Sequence, residues 1–169
     1  MVKERERPRR PAAAYIRVVK RIAQECGSPA DDVFGPAEET DLESLSKLGM
    51  PDSVVEFYRD FAPIETIELH EVRLWDVAHL LEENHHYHPG AEIHELGYVV
   101  IAGNRAGDVY CLDLGEYGDE DPPRVVHLPH RVDIGSRDRA EVDKQTRAVA
   151  DSFDEFLMMF ASGESGAGS

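Results

Sequence analysis

The densest collection of potentially reactive side chains lies between positions 82 and 88. Glu82, Glu83, His85, His86 and His88 bring carboxylates and imidazoles together, the side chains used for zinc ligation and for general acid–base work. A metal centre needs three or four donors converging on one point, held by an ordered outer shell. Here the histidines fall on His85-His86-Tyr87-His88-Pro89-Gly90, where proline and glycine end any helix. No cysteine lies beside them, and no His-Glu-x-x-His pattern puts two imidazoles on one helical face. The pattern predicts a solvated loop, with no metal, cofactor or catalytic residue assigned. A metal-dependent hydrolase built on the His85–His88 loop is kept as an alternative. The chain has no Gly-x-Ser-x-Gly elbow, phosphate loop or dinucleotide fingerprint. Carboxylate pairs are too common in it to single out an acid or a base. The expectation is therefore a protein that is not an enzyme.

A second chemistry is recognition. Glu116-Tyr117-Gly118-Asp119-Glu120-Asp121 sets one aromatic among four carboxylates, the composition of an interface anchor inside a polar rim. Glu116, Tyr117, Asp119, Glu120 and Asp121 are the candidate partner-binding residues. Trp75, read as a large core or groove residue, is the sixth. Charge agrees: 18 Lys plus Arg face 34 Asp plus Glu, a formal net charge of −16 over 169 residues. Such a field repels phosphate backbones and excludes nucleic-acid binding by the folded body. It attracts a basic protein from a distance. Residues 3–10 run against the trend, with Lys3, Arg5, Arg7, Arg9 and Arg10 against Glu4 and Glu6. This basic start has no signal-type apolar stretch after it and no apolar run is long enough to span a bilayer, so the expected localisation is cytoplasmic, with no membrane partner. Cys26 and Cys111 are far apart, which excludes a disulfide scaffold. Both read as small buried hydrophobes.

The elements that must position these residues follow from periodicity. Tyr15, Val18, Val19, Ile22 and Cys26 recur at helical spacing over 12–26, and Gly27 stops the pattern. Leu42, Leu45 and Leu48 predict a helix over 38–48. Another follows Pro51, with Ser53 and Glu56 as a capping box. Alternation predicts strands over 66–70 and 72–75. Asp76 caps a short helix to Asn84. Residues 96–102 are apolar on both faces and read as a central strand, which turns through Gly103–Gly107 into a strand over 108–114. Residues 125–128 form a further strand, and Ser152 with Glu155 cap a closing helix that buries Phe153, Phe156 and Phe160. Helices, then an antiparallel sheet, then a helix make the class α+β: a central antiparallel sheet flanked by N-terminal helices and a C-terminal helix. The expected organisation is a disordered basic N-terminus over 1–11, a single domain over 12–162 and a flexible tail over 163–169.

The order of these pieces resembles the SUKH superfamily of yeast cell-wall-synthesis regulators and bacterial toxin-immunity proteins. The resemblance rests on the Leu45-to-Leu48-Gly49 helix end, Pro51 with Val54, Phe57 and Tyr58, and Trp75. It continues through the pair 97–102 and 107–114 and ends on 149–157. The family pattern has Leu where this chain has Met50, and often an acidic residue near Ser46. The resemblance implies a non-catalytic protein-binding domain, monomeric or homodimeric, of the immunity type that neutralises a basic, nuclease-like toxin. A housekeeping or regulatory interaction domain without a toxin partner is the alternative.

Overall fold

The computed structural model describes residues 10–115, 122–135 and 137–164. Helix α1 (Arg10–Cys26) buries Tyr15, Val18, Val19 and Ile22 and ends at Gly27, whose φ of +72° favours glycine. A single turn, α2 (Ala30–Val33), leads to β1 (Phe34–Gly35). Then come α3 (Glu39–Lys47), α4 (Asp52–Phe61) and β2 (Ala62–Pro63), which pairs antiparallel with β1 as a small separate sheet. Helix α4 corrects one expectation. It starts at Asp52, with Pro51 at the N-cap position, so Ser53 and Glu56 fall inside the helix and not at the N-cap and third positions that a capping box occupies. The pyrrolidine ring presets the entry angle without a hydroxyl cap.

The main sheet is a six-stranded antiparallel meander: β3 (Ile67–Leu69), β4 (Val72–Leu74), β5 (Tyr98–Asn104), β6 (Val109–Asp113), β7 (Arg124–Leu128) and β8 (Arg147–Ala150), paired in that order. Between β4 and β5 lie α5 (Val77–His85), the turn α6 (Gly90–Ile93) and a 3₁₀ turn over His94–Leu96. Between β7 and β8 lies α7 (Arg139–Asp143), and α8 (Phe153–Ser162) closes the fold. The caps of α5 and α8 are as expected: Asp76 accepts from the His79 amide, and Ser152 from the Glu155 amide. Glu155 completes its box one residue early, accepting from the Asp151 amide at 2.7 Å.

Both sheet faces are covered. One carries the larger core, where Val99, Ile101, Tyr110, Leu112 and Val125 meet α1, α3, α4 and α8. Phe153, Phe156 and Phe160 are buried there, Phe156 lying 5.5 Å from the Tyr110 ring. The other face is thinner. Tyr98, Val100, Cys111 and Val126 meet Ile93, Val132 and Val142 from α6, a loop and α7. A bulge makes Ile101 the extra residue on β5, so Ile101 and Ala102 both face the larger core. Strand β4 stops at Leu74, which leaves Val100 without a strand partner on that side. The buried Asn84 takes its place: its side chain accepts from the Val100 amide and donates to the Val100 carbonyl, both at 2.9 Å. Among the described residues no helix is long and apolar enough to cross a membrane.

Candidate protein-binding surface

Five of the six candidate residues, Glu116, Tyr117, Asp119, Glu120 and Asp121, lie outside the described residues. The stems of their loop are well defined. Asp113, at the end of β6, is only 3% exposed. Its carboxylate takes the Arg139 guanidinium at 2.5 Å, Arg124 at 3.0 Å and the Gly115 amide at 3.0 Å. Burial alone would push the Asp113 carboxyl up; these donors outweigh it and hold it below the usual carboxylate range. Arg139 also donates to the Leu96 carbonyl at 2.8 Å and lies 4.5 Å over the Tyr98 ring, whose hydroxyl donates to Asp143. Burial first, then the Asp143 carboxylate, raises the Tyr98 phenol. Asp113 thus caps the turn at Gly115 inside a larger clamp. Arg139, Tyr98 and Asp143 had no sequence signal. They come from a five-residue helix and a strand start brought together only by the thin cover layer.

Trp75 sits elsewhere. Its ring edge would meet a Cβ on Gly103 at 3.1 Å, it packs against both cores, and it stacks on His79 at 6.1 Å. Its indole nitrogen is buried without a hydrogen-bond partner. Gly103 is five residues along β5 from Tyr98, about 17 Å at strand rise. The loop stems and Trp75 are therefore separate places on the molecule.

The histidines disperse. His85 has the rings of His86 and His94 beside it, at 6.2 and 5.9 Å. Both nitrogens of His88 are engaged, one with Glu92 at 3.0 Å and one with the His130 carbonyl at 2.9 Å. Among the described residues no three His, Cys, Asp or Glu side chains are grouped to hold a metal ion. A second polar cluster, unseen in the sequence, surrounds Asp108. This carboxylate accepts from the His130 amide at 2.9 Å and from Asn104 at 3.3 Å, and it meets the His127 ring at 3.1 Å. These contacts overcome burial and lower the Asp108 carboxyl. Gly107 is required there: its φ is +92°, and a Cβ would lie 2.8 Å from His130 Nδ1. Through these contacts the cluster ties a hairpin to a loop.

The cysteines differ from expectation in one case. Cys111 is buried, whereas Cys26 is exposed, because α1 ends there and its last turn opens onto a cleft. Burial and the neighbouring Glu25 both raise the Cys26 thiol.

Comparison with curated proteins finds no match. The model of the SMI1 / KNR4 family (SUKH-1) matches residues 33–159, well over half of the chain. That span runs from β1 through α8 and includes Trp75, the Asp108 cluster and the Asp113 clamp. The family is known to include toxin-immunity-type proteins and is generally non-catalytic. With the meander, the preceding helices and the closing helix all in place, the chain belongs to the SMI1 / KNR4 (SUKH-1) family.

Proposed function

We propose that this domain is the binding member of an immunity pair and neutralises a basic, nuclease-like toxin by covering it, without chemistry of its own. Family membership carries the reading, and the net charge of −16 supports it. An acidic surface accelerates encounter with a basic partner more than it deepens final affinity. The acidic loop is the proposed contact: Glu116, Asp119, Glu120 and Asp121 steer, and Tyr117 anchors. The Asp113 clamp would hold the positions at which this segment leaves and rejoins the sheet. Trp75 is proposed as a second contact on a separate part of the surface.

The experiment is a pull-down to identify the partner, followed by association and dissociation rates at two salt concentrations. Replacing Asp119, Glu120 and Asp121 with Ser should slow association and flatten its salt dependence. Tyr117→Ala should speed dissociation instead, since loss of an anchor appears in the off-rate. Wild-type kinetics in both variants would move the contact to the region of Trp75. A toxin gene beside the coding gene would favour the immunity reading over a regulatory interaction domain.

A further inference from the structure

Strand β3 is an edge of the main sheet, so one row of its backbone groups has no strand partner. Along it runs an open cleft of about 490 Å³, bounded by residues 65–69 on one side and by the end of α1 and α2 on the other. Glu25, Asp32, Glu65 and Glu68 supply carboxylates to its walls. Glu68 is neutralised by Arg73 and Arg105, and Glu25 by Arg21. Asp32 and Glu65 are exposed and form no ion pair among the described residues. Helix α1 delivers the negative end of its dipole to the same cleft, with no basic residue in its last turn.

We propose that this edge accepts an extended, arginine- or lysine-bearing segment of a protein partner, which adds to β3 as a seventh strand. The proposal rests on the reading that the domain binds a basic protein, and it names a site other than the acidic loop. Backbone pairing would supply register. Every second side chain of the added strand would point to the face on which Ile67 is buried, toward α1 and α2. A basic residue at those positions meets Asp32 and Glu65. A second copy is a poor occupant, because it would bring a second unpaired Asp32 and Glu65 to the cleft and, among the described residues of that edge, no cation free to meet them. The chain's own basic start is a poor one too. The cleft lies at the far end of α1, about 25 Å from Arg10, which nearly exhausts the reach of nine extended residues, roughly 30 Å.

Cys26 lines the cleft and is exposed, whereas Cys111 is 0% exposed, so alkylation of the full chain by a maleimide reads the cleft alone. The probe is acetyl-(Arg-Thr)4-amide, with arginine on one face. Saturating probe should slow Cys26 alkylation about fivefold or more by steric cover, and the Glu-Thr peptide should leave it unchanged. Asp32→Lys with Glu65→Lys, both at exposed sites, should raise the probe's Kd about tenfold or more at an unchanged Tm. Methylating every second backbone nitrogen of the probe should weaken it as much, since strand pairing is then blocked with charge intact. Absence of protection, or equal protection by the methylated probe, overturns the proposal. So does faster alkylation of a chain lacking residues 1–9, which would make the basic start the occupant. A toxin that binds the double-lysine variant with wild-type kinetics would overturn the cleft and leave the immunity reading standing.

Discussion

Strand β6 is flanked by two aspartates held in opposite ways. At one end Asp113 is buried among Arg139, Arg124 and a backbone amide, beside Tyr98 and Asp143. At the other, Asp108 is partly exposed and held by Asn104, His127 and the His130 amide. The first end fixes the stems of the acidic loop through one buried carboxylate shared by two guanidinium groups. The second ties its turns with contacts mostly made by neutral groups or by groups water can reach. A partly exposed carboxylate recovers hydration when one partner is removed, whereas losing the buried Asp113 carboxylate breaks its bonds to Arg139, Arg124 and the Gly115 amide at once. The loop end should therefore fail steeply, and the histidine end gradually.

The largest effect is expected from Asp113→Ala. It removes the buried carboxylate that Arg139, Arg124 and the Gly115 amide all meet, and should cost about 3–5 kcal/mol in denaturant unfolding. A loss of under 1 kcal/mol would erase the distinction between the ends. Asp113→Asn sharpens it through pH. Asp113 has a lowered pKa in the fold, so its contribution is present above the unfolded value of about 3.9 and is lost as pH falls through the lower folded value. The stability gap between wild type and Asp113→Asn should be full at pH 7 and close below about pH 4. A gap independent of pH would mean that shape, not charge, holds that end.

At the histidine end Gly107→Ala should be the costliest change, about 1–3 kcal/mol, from positive φ and contact with the His130 ring. His127→Phe removes one ring contact to Asp108 and should cost about 0.5–1.5 kcal/mol. The smallest effect has the opposite sign. His70 and Glu71 form the two-residue turn between β3 and β4, with φ of +54° and +70°, a conformation costly for side chains. Glu71→Gly should raise stability by about 0.5–1 kcal/mol in the same assay.

Much of this was legible where local chemistry decides. The buried faces of α1 and α3, the caps Asp76 and Ser152, the stops at Gly27 and Gly163 and the central position of β5 follow from spacing and residue type alone. Strand β8 was not legible, because Arg147-Ala148-Val149-Ala150 is short, bulged and polar at one end. The Arg139 clamp was invisible for a different reason. Its donors and acceptors come from positions 96, 98, 113, 124, 139 and 143, and no periodicity links them. Cys26 was misread because helical spacing says which face a residue shares, not whether the helix has already left the core at its last turn. The β3 cleft left no trace in the sequence, since it is a property of an edge.

The contact between α1 and α8 sets a timetable. Strands β3 to β8 each pair with the neighbour made just before, so the sheet can assemble in the order of synthesis. The layer above it cannot. Tyr15 of α1 meets Phe57 of α4 at 5.0 Å, but its other aromatic neighbour, Phe153 of α8 at 6.1 Å, closes the cluster only when the last helix arrives. Until then a nascent chain presents Tyr15, Phe57 and Tyr110 to whatever else is near. A ribosome-bound chain with β8 clear of the exit tunnel and α8 still inside it should display a finished meander with an open roof, and chaperone crosslinks from position 57 should vanish once α8 has cleared the tunnel.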